Sequence, residues 1–378
     1  MEQTTKEHLR TMFSIKPTTP AKQLVSPGPS ETIPIINLLE MDLSNIADIT
    51  TEELQTKDYT FGYGEQLKSL SRYGKTEDSK DPQVRSELAK VKKRDGEIID
   101  NKYVILGSLG AGGASEVYLA QRLLMGDNVA LKLLRSSYIR DPETARRFHL
   151  EAVTTASIKH PNVITVHDFD FTESGTPYIV MELLKGETLL GEQQRVGQIP
   201  LRRAIQILTP ICAALNVAHS QGVIHRDLKP ANIVLHRTSD DNEVMKLIDF
   251  GIAKQLTEND FDNMKTLPGL VVGTPAYMSP ERCMEEPYDL RTDIYNLGLI
   301  FYEIVAGQHP FQAKTMMAMM ANQISNMPSP LHTIVPDVPQ AVENVVFKAL
   351  AKSPSDRYST ALEFADELNN AYYASWLQ

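Results

Sequence analysis

Hydrophobic positions change rhythm along this chain. Over residues 103–109, 117–121 and 129–134 the pattern is β-like, with a glycine cluster between the first two runs. Such runs predict strands, and the glycines predict a turn between them. Asp141-Pro142-Glu143 supplies a capping side chain, a proline for the first turn and an acid beside the helix N-terminus. A helix is therefore predicted to start there and to carry Phe148, Glu151 and Ala152. Strand patterns return over 163–169 and 178–182, and beyond Leu201 the apolar spacing is mostly helical. A small strand-rich half followed by a larger helical half predicts an α+β fold. No internal repeat is visible.

The first hundred residues have a different texture. Residues 17–34 hold Pro17, Pro20, Pro27, Pro29 and Pro34 with Ser26, Gly28 and Ser30 between them, a composition that reads as an extended tether. After it, Ile36, Leu39, Leu43 and Ile46 fall near one helical face. Residues 64–95 are charged, with Leu67, Leu70, Leu88 and Val91 suggesting two short surface helices. Residues 1–98 thus read as an extension, partly disordered, that regulates the rest or docks a partner. The apolar stripe favours a partner surface; a solvated tail without a role is the plainer alternative.

Composition narrows the classes. The 378 residues are 42% hydrophobic and 23% charged, which is ordinary globular usage. A net charge of −10 argues against a protein that sheathes nucleic-acid phosphates. Two cysteines, Cys212 and Cys283, are too few for a disulfide framework and suit a reducing, cytoplasmic setting. Cys283, close behind Glu281, sits where an exposed thiol is conceivable, though nothing else supports a redox role. The most apolar stretch, 297–305, is short and carries Glu303, so it predicts no membrane span. Residues 1–7 lack the apolar run of a secretory signal.

Three segments carry chemistry. Leu109-Gly110-Ala111-Gly112-Gly113-Ala114-Ser115-Glu116-Val117 lies between two predicted strands, and glycines without Cβ let backbone N–H groups approach an anion. A dinucleotide fold would want a helix straight after the loop, whereas Glu116-Val117-Tyr118-Leu119-Ala120 is β-like. Lys132 stands on the apolar run Val129-Ala130-Leu131-Lys132 and needs an anionic partner, for which Glu151 is the candidate. A solvated edge-strand lysine is the alternative. The third segment is His225-Arg226-Asp227-Leu228-Lys229-Pro230-Ala231-Asn232, followed 17 residues later by Asp249-Phe250-Gly251. Two aspartates and an asparagine offer hard oxygen ligands for magnesium and a base for a hydroxyl.

In this order the segments resemble a eukaryotic-like serine/threonine protein kinase, nearest to bacterial members of that family. The resemblance implies a two-lobed fold over residues 99–372, with a β-rich lobe at 103–182 and a helical lobe at 185–372. It implies ATP and Mg2+, with Mn2+ able to stand in, and protein substrates. By that resemblance Lys132 holds the α- and β-phosphates and pairs with Glu151. Asp227 positions and deprotonates the substrate hydroxyl, Lys229 neutralises the γ-phosphate, and Asn232 and Asp249 bind metal. The glycine loop, Leu109 to Val117, covers the nucleotide. Ala130 and Val234 sandwich the adenine with Val117 above it, Met181 is the gatekeeper, and Glu182 and Leu184 offer hinge groups. Glu281 of Ser279-Pro280-Glu281 pairs with Arg357, and Asp293 braces the catalytic loop.

Further expectations follow from the same likeness. Gly273-Thr274-Pro275-Ala276-Tyr277 resembles the substrate-site loop, with Thr274 bonded to Asp227 and Lys229. Together with Lys229 it points to serine and threonine rather than tyrosine. Arg226 reads a phosphate on the activation loop, and Thr266 is the favoured acceptor for autophosphorylation. A dimer of kinase domains is compatible with this. Two departures stand out: Ser115 replaces the third loop glycine and Ser279 an alanine. The rivals are a pseudokinase scaffold, which would lack Lys132, Asp227 or Asp249, and a small-molecule phosphotransferase, which would lack the Gly-Thr-Pro loop.

Overall fold

A two-residue strand opens the described part of the chain. The computed structural model describes residues 94–139, 141–251 and 275–375. Within it β1 (Ile98–Ile99) pairs with β2 (Tyr103–Ala111), which turns through the glycine cluster into β3 (Ser115–Arg122) and on to β4 (Asn128–Leu134). Helix α1 (Pro142–Ser157) then crosses to β5 (Val166–Phe171) and β6 (Pro177–Glu182). The sheet is antiparallel throughout, in the order β1-β2-β3-β4-β6-β5.

Both faces of this sheet are buried. Leu109, Val117, Leu119 and Ala130 join Phe148 and Ala152 of α1 in one apolar cluster. Residues of opposite parity, among them Tyr118, Val129, Leu131, Tyr178 and Val180, fill a second. Strand twist curls the sheet until its ends meet. Lys102, before β2, reaches Asp170 of β5 at 3.0 Å, and Tyr178 Oη donates to Asp100 at 3.2 Å. The sheet also begins ahead of residue 99: Gly96 N–H donates to Ile105 O at 2.8 Å, and the Arg94 guanidinium lies over the Tyr118 ring.

The start of α1 follows its sequence signal. Asp141 caps it by accepting from Glu143 N–H at 3.1 Å, with the proline at the first turn. The expected strand at 163–169 is corrected at its front end. Val163 and Ile164 belong with a later strand, since Ile164 N–H donates to Leu247 O at 3.0 Å.

Beyond residues 183–185, the connector after β6, the chain forms a small second sheet. β7 (Gly186–Thr188), β8 (Ile233–Arg237) and β9 (Glu243–Leu247) lie side by side in that order. The helical spacing expected after Leu201 did not anticipate β8 and β9, two five-residue strands whose charged neighbours hide the alternation. Around them pack α2 (Leu189–Val196), α3 (Leu201–Ser220), α4 (Pro280–Cys283), α5 (Arg291–Ala306), α6 (Met316–Ser325), α7 (Gln340–Ala349) and α8 (Ala361–Ala374). Every α5 residue from Thr292 to Ala306 is buried, so the most apolar stretch of the sequence is a core helix. No helix among the described residues is long and apolar enough to cross a membrane. Met319 of α6 packs inward while Met317 faces out. The exposed thiol conceivable at Cys283 is corrected as well: the side chain is buried, its Sγ 3.8 Å from Met278 O.

Candidate active site

Lys132 lies in the interior of the first sheet. Strand β4 runs between β3 and β6, and Lys132 is in register with Val117 on one side and Ile179 on the other. The edge-strand alternative is therefore excluded. Its ammonium is 2.6 Å from Glu151 Oε1 of α1 and 2.7 Å from Asp249 Oδ1. Burial alone pulls a lysine towards the neutral form, but the two carboxylates outweigh it and hold the ammonium charged. The Asp249 carboxyl feels the same opposition: burial pushes it up, Lys132 pulls it down, and the net direction is down.

The glycine segment forms the tip of the β2–β3 hairpin. Gly110 pairs with Val117 and Ala111 with Glu116, and Gly112 N–H closes the turn on Ser115 O at 2.8 Å. A Cβ on Gly113 would meet nothing within 4 Å, so the tip is open on that side. Ala114 and Ser115 are half-buried beside it. Near the hairpin, Leu109, Val117, Ala130, Met181, Leu184 and Val234 share one apolar cluster drawn from both sheets. The Glu182 carboxylate is taken up elsewhere, accepting from Lys246 Nζ and Thr165 N–H, each at 2.7 Å.

The polar loop after α3 is held through its backbone N–H groups. Arg226 and Asp249 adopt left-handed φ values of 67° and 54°, which non-glycine residues hold only when neighbours compel them. Asp293 of α5 compels the first: its carboxylate accepts from His225 N–H at 2.8 Å and Arg226 N–H at 3.0 Å, and lies 2.8 Å from His219 Nε2. The bracing expected of Asp293 is thus present as geometry. Asp227 then faces Lys229 Nζ at 2.9 Å, while Asn232 Nδ2 donates to the Asp227 carbonyl at 2.8 Å and to its carboxylate at 3.1 Å. Gly251 packs directly against this loop. Its N–H donates to His225 O at 2.8 Å, and a Cβ there would stand 2.7 Å from Asp227 Cβ. Only glycine fits.

A lysine bridging two carboxylates, beside a loop that presents Asp227 and Asn232 together, is the constellation of one family, and the model of the protein kinase domain matches residues 103–373. The chain belongs to the protein kinase family. Its similarity is to the bacterial serine/threonine branch. It is 40% identical over 273 residues to serine/threonine-protein kinase PknB of Mycolicibacterium smegmatis, and 37% identical over the same span to PknB of Mycobacterium tuberculosis. Each match takes in 71% of this chain and 43% of the relative, so the chain spans less than half the length of either. Among solved structures, the match to the Mycobacterium tuberculosis PknI kinase domain covers 73% of this chain and 98% of that one, at 29% identity and a TM-score of 0.57.

The kinase domain also carries its lower anchor. Arg357 donates to both oxygens of Glu281, at 2.8 and 2.7 Å, and the pair is almost wholly buried. Thr274 and Thr266 lie outside the described residues. As a magnesium site, the residues fit. Among the described residues the buried Asn232 Oδ1 has no hydrogen-bond partner, which leaves an oxygen for a hard cation. No cluster of three or more His, Cys, Asp or Glu side chains forms a metal cage among the described residues. Sequence reasoning missed His219 and Lys246, two partners of functional side chains that belong to no motif and have no spacing signal.

Proposed function

We propose that this chain transfers the γ-phosphate of ATP to serine and threonine hydroxyls of proteins. The observation that carries the reading is the double ion pair of Lys132 with Glu151 and Asp249, which draws residues 19 and 117 positions apart onto one ammonium. Phosphoryl transfer asks for positioning and charge neutralisation more than covalent help. Lys132 orients the α- and β-phosphates and is itself aimed by Glu151. Lys229 meets the γ-phosphate, and the Asp227 carboxylate accepts the proton that the attacking hydroxyl loses. Asn232 and Asp249 would hold Mg2+, or Mn2+ in its place, which when bound neutralises phosphate charge. The N–H groups from Gly110 to Glu116 cover the phosphates. Ala130, Val117 and Val234 enclose the adenine beside Met181, with Glu182 and Leu184 supplying connector backbone. Thr274 ties the substrate loop to Asp227 and Lys229.

Incubating the full chain with labelled ATP, Mg2+ and casein tests the reading. Label on casein serine or threonine supports it; none, from folded protein, removes it. Autophosphorylation is part of the proposal. Thr266 is expected to carry phosphate after incubation with ATP, adding about −1.5 to −2 charge that Arg226 can read. Full activity with no phosphate at Thr266 in mass spectra would discard that role.

The remaining assignments concern setting and partners. The extension ahead of residue 94 docks a second protein, the chain from there to residue 372 carries catalysis, and the protein works in the cytoplasm. A kinase-domain dimer is the remaining assignment.

A further inference from the structure

We infer that His309 and Gln323 are positioning residues for the protein substrate, acting through the backbone of Ala276. The inference rests on the kinase reading above, because the turn Pro275–Tyr277 directly follows Thr274 in the segment that resembles the substrate loop. The Ala276 carbonyl has two lone pairs, and both are occupied by side chains from outside the turn. His309 Nε2 lies 2.9 Å from it, and Gln323 Nε2 donates to it as well.

Neither donor is free to turn away. Gln323 is completely buried on α6, and its Oε1 accepts from Tyr295 Oη at 2.6 Å. Lys352 Nζ donates to that same hydroxyl at 3.2 Å and to Gln323 O at 2.8 Å. With Oε1 committed to a hydroxyl proton, the amide nitrogen must face Ala276. His309 Nδ1 faces both Phe311 O at 2.8 Å and Phe311 N–H at 3.2 Å; in the tautomer that accepts from the N–H, Nε2 carries the proton and donates to the Ala276 carbonyl. The next residue of the turn is held too. Tyr277 stacks edge-on against His309, with ring centres 5.4 Å apart, and its hydroxyl donates to the buried Glu303 carboxylate of α5.

Two consecutive residues of the turn are thus pinned by α5, by α6 and by the loop between them. None of the hydrogen bonds described for His309 or Gln323 reaches Lys132, Asp227, Asn232 or Asp249. Loosening this anchor is therefore expected to weaken the seating of a protein substrate and to leave ATP binding alone. The corresponding split is a rise in KM for the acceptor without a rise in KM for ATP.

Steady-state kinetics of the full chain, with casein and ATP varied separately, make the test. For His309→Phe, which keeps a ring and removes the donor, KM for casein is expected to rise about ten-fold, the effect of one lost hydrogen bond. KM for ATP should stay within two-fold, and His309→Gln, whose amide can still donate, should recover most of the loss. Gln323→Glu, which keeps Oε1 for Tyr295 and removes the donor, should move casein KM in the same direction. An unchanged casein KM in His309→Phe overturns the inference. So does a parallel rise in both KM values with a lowered melting temperature, which would mark a purely structural contact. A wild-type chain that transfers no phosphate overturns the kinase reading first, and shows itself before any variant is made.

Discussion

Lys132 is the residue on which the site turns. Taking its ammonium away in Lys132→Met leaves Glu151 and Asp249 facing each other across a largely buried gap with no cation between them. Asp249→Asn keeps the shape and removes the charge. Both variants are expected to lose at least roughly a hundred-fold in transfer rate, the scale set by removing one aimed electrostatic group from an active site. Asp249→Asn should retain the wild-type circular dichroism spectrum. Near wild-type turnover in either would dismiss the mechanism.

Asp293 shows residue-scale control of a different kind, with a pH signature. Burial pushes its carboxyl up, but the His219 hydrogen bond and the backbone N–H of His225 prevail, and it titrates below the ordinary 3.8. The unfolded chain therefore takes the proton before the folded chain does. The stability it contributes is present above about pH 4 and is lost as pH falls through the lower folded value. Asp293→Asn is expected to cost about 1.5–3 kcal/mol at neutral pH, the range for hydrogen bonds to a charged group. The gap from wild type should narrow below pH 4. Urea melts across pH 3 to 7 measure both.

At the scale of elements, the fold is assembled through a few long-range ties. Helix α4 carries only four residues, yet Glu281 on it is bound by Arg357 from just before α8, at the far end of the described chain. The Glu281 carboxyl is raised by burial and lowered further by Arg357, with a net downward shift. Breaking one side of such a pair strands a buried charge, so Arg357→Ala should cost about 3–5 kcal/mol by chemical denaturation. Helix α5 meets α7 across Gly298, where a Cβ would lie 3.1 Å from Ala349 and Leu350 side-chain atoms. That close approach explains a glycine in the middle of a buried helix, where propensity alone disfavours it.

At the scale of the whole molecule, the upper sheet reaches back along the chain to residue 94. The sheet takes in Gly96 and the Arg94 side chain, so a shortened chain must keep residue 94 onward to preserve it. Removing residues 1–93 is expected to leave transfer to casein within a few-fold and to abolish capture of the physiological partner. Loss of casein activity would instead place the extension inside the catalytic fold. The stripe of Ile36, Leu39, Leu43 and Ile46 belongs to this question and lies outside the described residues.

Much of this protein is legible without coordinates, for reasons local to the chain. β-like runs marked β2, β3 and β4 of the upper sheet, where each face buries every second residue. A cap, a proline and an acid marked the start of α1, because those groups act within one turn. The order of the glycine loop, Lys132, Asp227, Asn232 and Asp249 marked the chemistry, because the residue types themselves are what phosphoryl transfer needs. Tertiary structure decided the rest. That Lys132 sits inside a sheet and takes Asp249 from 117 residues away depends on which strands neighbour β4. The left-handed backbone at Arg226 depends on a carboxylate from α5, and the glycine after Phe250 on how closely it approaches Asp227. β8 and β9, the buried Cys283 thiol and the His309–Ala276 contact left no periodic trace. Local pattern records which face of an element is covered; what covers it is settled only when distant elements pack.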